Sequence, residues 1–270
     1  MSTAVREPAV AGYFYPGRAE TLLRDVRSYS AAPSAKLRAL GCVAPHAGYM
    51  YSGHVAGAVY ARLELPKRFL ILCPNHTGVG EPLAIMSRGA WRTPLGDARI
   101  DSSLAAQLLQ RCELLTEDSL AHRSEHALEV QLPFLQGLLS DFTFVPIAVG
   151  VGSFPPLAAL GEAVADVLSG QSDPVLLIAS SDMNHYESDA VTRVKDKKAI
   201  DPMLALDARG LYDVVCSEHI SMCGFGPAVA MLTAAKRLGA TQAELVKYAT
   251  SGDISGDFER VVGYAGVVVY

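Results

Sequence analysis

Three histidines stand directly behind short apolar runs, and that placement is the first chemical signal in the chain. The run ending at Ala44 leads into PHAGYMYSG with His46, and the run ending at Cys73 leads into PNHTG with His76. A third run, ending at Ala179, leads into SSDMNHY with Asp182 and His185. In an open α/β sheet, ligands sit outside the carboxyl ends of the strands, and loops there carry function on a rigid scaffold. Imidazole supplies both a common metal-ligating nitrogen and a proton carrier near neutral pH. One such histidine reads equally well as a hydrogen-bonded loop residue. Three in equivalent positions favour a functional reading over that one.

Cys223 in MCGFGPAVAML is a fourth candidate, because Pro227 can start a helix just behind it. A helix N-terminus lowers a thiol pKa and favours thiolate, the form that binds metal. The alternative is a small buried hydrophobe, which is the reading for Cys42, Cys73, Cys112 and Cys216. At His122–His126, HRSEH fits the H-x-x-E-H pattern, in which two histidines on one helix face hold zinc and the glutamate is the base. The polar stretch before it is a poor helix, with Ser124 a cap, so the sequence favours a loop His122. Asn75, Glu125 and His126 are then expected to line a pocket. Glu125 and Glu129 also suit a helix macrodipole, and His54 and His219 have no partner pattern. The aromatic AGYFYP segment and Trp91 read as packing residues.

The elements that must position these groups alternate along the chain. Leu40–Ala44, Phe69–Cys73, Leu83–Met86, Phe142–Val149, Val175–Ala179, Glu244–Ala249 and Val262–Val269 read as strands, several of them apolar enough to be buried on both faces. Helices are predicted at Gly53–Leu63, Ser102–Arg111, Glu125–Leu138, Pro156–Leu168, Pro202–Cys216 and Pro227–Leu238, with Ser188–Lys198 left as a loop. Asp101 caps one helix and Gly239 stops another. This alternation predicts an α/β fold, a single domain over residues 1–270 with a central, mostly buried sheet flanked by helices.

Composition narrows the function classes. Half of the 270 residues are hydrophobic, which supports a sizeable core. Lys plus Arg number 23 against 28 Asp plus Glu, for a net charge of −5, and no basic run tracks a phosphate backbone. A nucleic-acid partner is therefore not expected. No apolar segment approaches the roughly 18 residues of a membrane span, and the N-terminus lacks the layout of a secretory signal, so the expected location is cytoplasmic. Five cysteines at irregular spacing, with no CxxC, argue for reduced thiols. The KDKK run at 195–198 reads as a solvated face.

Taken in order, REPAVAGYFYPG, APHAGYMYSG, PNHTG, RTPLGDARID, SEHALEVQLPFLQ, SSDMNHY, CGFGPAVAML and YATSGDISGD with VVGYAG resemble the Memo family, named for a mediator of cell motility. The resemblance covers nearly the whole chain. It implies a fold like that of the class III extradiol (LigB-type) dioxygenases, with a vestibule at one end of the sheet. In those enzymes two histidines and a carboxylate hold Fe(II), and a further histidine works as acid/base. Carried over by motif, His46 and His76 match the histidine ligands, Cys223 stands where the carboxylate would be, and His185 matches the acid/base, with Asp182 beside it. The resemblance implies Fe2+ first, and the thiolate makes the donor set softer, so that copper or zinc is a possible alternative. The resemblance thus implies a metal-binding redox protein, a non-haem iron- or copper-dependent oxidoreductase of dioxygenase type acting on an unknown small molecule. The alternatives are a peptide- or protein-binding module using the same vestibule, and a zinc hydrolase. Prokaryotic members imply a functional link to a radical-SAM protein.

Overall fold

The near-continuous apolar runs FLILC, FVPIAV and VLLIAS have no polar face to turn to water, and they form the centre of a sheet covered on both sides. The protein is described by a computed structural model covering residues 4–31 and 35–270. Its first half runs β1 (Val5–Arg6), α1 (Ala19–Tyr29), β2 (Gly41–Ala44), α2 (Tyr49–Arg62), β3 (Arg68–Pro74), β4 (Leu83–Ile85), β5 (Ala90–Thr93), β6 (Gly96–Ile100), α3 (Ser102–Arg111) and β7 (Thr116–Glu117). Then come α4 (Leu120–Arg123), a 3-10 turn at Glu129–Gln131, α5 (Leu132–Leu138), β8 (Thr143–Val149), α6 (Phe154–Leu168), β9 (Val175–Ser180) and β10 (His185–Glu187). The chain closes with α7 (Asp189–Leu204), α8 (Ala208–Ser217), α9 (Phe225–Arg237), β11 (Ala243–Thr250), α10 (Gly252–Ser255) and β12 (Val261–Val269).

Among the described residues these strands make one mixed sheet of twelve, ordered β1-β5-β6-β8-β3-β9-β2-β12-β10, with β11 also on β12 and β4 linking β7 to β8. β8, β3, β9 and β2 are mutually parallel, so the ends of β3, β9 and β2 lie side by side. One face is covered by α1, α2 and α5 through Leu22, Val26, Val59, Tyr60 and Phe134. The other is covered by α3, α6, α8 and α9 through Leu104, Leu108, Leu160, Val164 and Met231. Gly161 lets α6 lie against α9, since a Cβ there would sit 2.5 Å from the Ala230 carbonyl oxygen. No described helix is long and apolar enough to cross a membrane.

The α/β class and every predicted strand are present, and Asp101 caps α3 through Leu104 N at 3.0 Å. Gly239, with φ of +103°, terminates α9 as expected. Four expectations are corrected. The stretch 188–198 is not a loop but the front of α7, and Pro202 lies inside that helix, while α8 begins at Ala208 behind the Asp207 cap. Charge hid α7: Lys197–Asp201 and Lys198–Glu218 ion pairs occupy its wet side, leaving no clean apolar stripe. The helix predicted over Glu125–Leu138 is helical only from Glu129, as a 3-10 turn and then α5, and Ser124 ends the preceding α4 rather than capping a new helix. Among the elements that the sequence reading did not cover are α1, with Leu22 and Val26 buried, and the β5–β6 hairpin.

Candidate metal centre

The three parallel strand ends open into a cavity of about 540 Å3. β2 delivers His46 two residues beyond Ala44, β3 delivers His76 two beyond Pro74, and β9 delivers Asp182 and then His185. Cys223 arrives in the approach to α9. Gly224 allows that approach: a Cβ on it would lie 2.3 Å from the Ser180 carbonyl oxygen. His46, His76, Asp182, His185, Cys223 and His126 all face this cavity, with Phe14, Tyr186 and Val262 as its apolar wall.

The hydrogen bonds show which ring nitrogen each histidine presents. The Nδ1 of His76 lies 2.9 Å from Glu125 Oε1, and its backbone N–H donates to Glu125 Oε2 at 2.6 Å. Burial opposes ionisation of Glu125, but hydrogen bonds from His76 and the Ala127 N–H bring its carboxyl down to about 2. As an ionised acceptor, Glu125 holds the proton of His76 on Nδ1 and leaves Nε2 for the cavity. Burial alone would depress the His76 imidazole, yet the Glu125 carboxylate outweighs it and raises it above the ordinary value. The Nδ1 of His185 is 2.9 Å from the Ser221 carbonyl oxygen, which only accepts, so Nδ1 donates and Nε2 is again free. His46 rests its Nδ1 3.0 Å from Ser180 Oγ, and its Nε2 is 3.2 Å from Cys223 Sγ. Burial, with the His126 and His76 rings nearby, pushes the His46 imidazole well below its ordinary value, so it is neutral.

The ligand atoms of His46, His76 and Cys223 lie within 4.8 Å of one another. Two imidazoles with lone pairs aimed inward and one thiol make a borderline-to-soft donor set, which fits iron, copper or zinc and not a hard calcium or magnesium ion. His76, Glu125 and His126 form a second group within the same distance. There the Glu125 oxygens already accept three N–H groups, so the carboxylate orients His76.

Several expectations change at this level. Cys223 does stand near a helix start, but burial pushes its thiol up, with the Asp182 carboxylate adding to the rise, instead of leaving it a ready thiolate. Asn75 does not line the cavity: its side chain bonds Val79 O, Thr77 Oγ1 and Gly78 N and builds its own loop. Glu125 is fully buried behind His76, and of the expected pocket trio only His126 reaches the cavity, stacked 4.8 Å from the His76 ring. His122 is not a loop residue; it lies on α4, buried edge-on to Trp91 at 5.6 Å, so His122 and His126 share no helix face. Glu129 is not a helix-end charge either: it is buried and accepts from Arg6, Ala9 N, Val10 N and the Tyr15 hydroxyl. In the AGYFYP segment Tyr13 is 89% exposed and Phe14 walls the cavity, so of that group Tyr15 and Trp91 are the buried ones.

Asp182 accepts the backbone N–H of His46 at 2.8 Å and of Ala47 at 3.3 Å through Oδ1. Burial raises its carboxyl above the ordinary value, against the pull of those two amides. Sequence reasoning missed Ser180, Gln131, Asn184 and Ser221 as supports. Asn184 is fully buried and accepts Ser221 N and Oγ, both at 3.1 Å, which sets the Ser221 carbonyl against His185. The available signal was polarity out of place, such as Glu129 and Gln131 inside the apolar LEVQLPFL run.

The chain matches the family model described as Memo-like protein over residues 6–268. A MEMO1 family protein of Methanopyrus kandleri is 43% identical over 277 residues, covering 97% of this chain and 98% of that one. Another, from Methanosarcina mazei, is 44% identical over 267 residues, covering 98% and 99%. The crystal structure of protein JW3007 from Escherichia coli K12 superposes with a TM-score of 0.55 at 13% identity, covering 86% of this chain and 100% of that one, a likeness of fold. With a model match across nearly its whole length and full-length relatives above 40% identity, this chain belongs to the Memo-like family.

Proposed function

We propose that the protein is a metal-dependent oxidoreductase whose single transition-metal ion, iron(II) or copper, is held by His46, His76 and Cys223. The observation that carries this reading is the convergence of those three donor atoms within 4.8 Å at the ends of adjacent strands. Such an ion would supply one-electron redox chemistry and Lewis acidity. The chain's own residues would do the rest. His185, with Nδ1 committed to the Ser221 carbonyl, would take a proton from a substrate hydroxyl at Nε2 and return it later. Asp182 would hold the His46 loop through its backbone amides. Phe14 and Val262 would keep water from the reacting face.

The test is elemental analysis of protein purified without oxygen, followed by titration with Fe(II), Cu(I) and Zn(II), on wild type and Cys223→Ala. Near one equivalent of iron or copper in wild type, with affinity at least about tenfold weaker in the variant, supports the proposal. No affinity for any of the three metals refutes it. Tyr186, which is 66% exposed yet also faces the cavity, favours peptide docking as a second reading. In that case partner binding survives both metal removal and His185→Ala.

A further inference from the structure

We infer that Ser180, itself oriented by Gln131, is a positioning residue that holds His46 with its proton on Nδ1 and its lone pair on Nε2. The inference rests on the proposed role of His46 as a metal ligand only for its functional meaning; the hydrogen-bond accounting stands without it.

Ser180 Oγ has three close neighbours: the Ala127 carbonyl oxygen at 2.6 Å, Gln131 Nε2 at 2.8 Å and His46 Nδ1 at 3.0 Å. A hydroxyl offers one proton and two lone pairs. The Ala127 carbonyl brings no proton, and two oxygens at 2.6 Å need one between them, so the hydroxyl proton is committed there. The Gln131 amide nitrogen can only donate, and it takes the first lone pair. The second lone pair faces His46 Nδ1, which must therefore arrive protonated. If Ser180 donated to His46 instead, its oxygen would stand bare against the Ala127 carbonyl, a buried repulsion with no water to relieve it.

The accounting depends on which way the Gln131 amide points, and its surroundings decide that. Gln131 Nε2 also faces the carbonyl oxygens of Pro45 at 3.0 Å and Ala44 at 3.4 Å, while Oε1 accepts the Tyr60 hydroxyl at 2.8 Å. A flipped amide would set its oxygen against both carbonyls. Gln131 and Ser180 are completely buried and Tyr60 and His46 nearly so, which leaves solvent no part in the network. The outcome is an unprotonated Nε2 directed at Cys223 Sγ, 3.2 Å away, before any metal binds.

The experiment is long-range 1H–15N NMR on metal-free, reduced protein with 15N-labelled histidine, for wild type, Ser180→Ala and Gln131→Met, followed by titration of each with Zn(II) as a diamagnetic probe. Wild type should show His46 with a protonated Nδ1 and a bare Nε2. Ser180→Ala should move its nitrogen signals toward the opposite tautomer and weaken zinc binding about 10- to 100-fold. Gln131→Met should shift the same signals less far. A wild-type His46 protonated on Nε2 overturns the inference whether or not the variants fold. A Ser180→Ala protein with an altered tautomer and wild-type zinc affinity overturns the positioning role. A wild type with the expected tautomer that binds no zinc upholds the hydrogen-bond assignment and counts against the metal reading.

Discussion

The Cys223 thiol, raised by burial, holds at neutral pH a proton that an incoming metal ion must displace, and the Glu125 carboxylate raises His76 above its ordinary value over the effect of burial, so that toward acid pH a second proton on His76 competes with the metal as well. Both shifts have the same sign, so apparent affinity must climb with pH. Zinc titrations between pH 6 and pH 8 should therefore tighten steadily and release protons, readable from the buffer dependence of calorimetric heats. Glu125→Gln separates the two contributions. Without the carboxylate, His76 loses its proton at lower pH, so the acidic part of the dependence flattens. The affinity reached at high pH should fall about 10- to 100-fold, because the ring is no longer held to Nδ1–H. A Glu125→Gln profile parallel to wild type would remove Glu125 from its assigned role.

Among the elements, the segment from α4 to α5 carries the most consequence, because its backbone and its acids serve different partners. Arg6 at the end of β1 places its Cζ over the Trp91 ring, 4.2 Å from the centroid, donates to the His122 and Glu125 carbonyls and pairs with Glu129, all of it buried. Glu129 in turn collects Ala9 N, Val10 N and the Tyr15 hydroxyl, which seats the segment that brings Phe14 to the cavity. One ion pair thus ties the N-terminal segment to the turn that supports His76. Removing one partner of a buried pair leaves an uncompensated charge and costs about 3–5 kcal/mol. Glu129→Ala should lose that much stability in urea unfolding, and the folded fraction should bind zinc more weakly than wild type. A loss under about 1 kcal/mol would show that water reaches Arg6. These long-range partners, 114 to 123 residues apart in sequence, are also why the helix pattern over 125–138 misled: local periodicity cannot register that both acids are needed elsewhere.

For the molecule as a whole, pH acts on stability through a buried acid outside the cavity. Asp196 on α7 accepts Asn184 N at 2.8 Å and the Tyr248 hydroxyl at 2.7 Å, and burial raises its carboxyl to about 7. A raised acid keeps in the fold a proton that the unfolded chain has already released. Stability is then greatest below the ordinary carboxyl value near 3.8 and falls as pH rises toward 7, by about 4 kcal/mol for three units. Asp196→Asn should flatten urea-unfolding stability across that window, and a mutant curve as steep as wild type would place the effect on another group. Sequence alone determined the α/β class, the strands behind His46, His76 and His185, and the family, because buried parallel strands write continuous apolar runs and the motifs sit at their ends. Only the tertiary structure decided that β3, β9 and β2 lie side by side, that Cys223 meets His46 across 177 residues, and that Glu125 and Ser180 choose the nitrogens on offer. The reason is physical: apolar period is a local property of a chain, whereas the partner of a buried polar atom is whatever distant backbone the packed core brings to it.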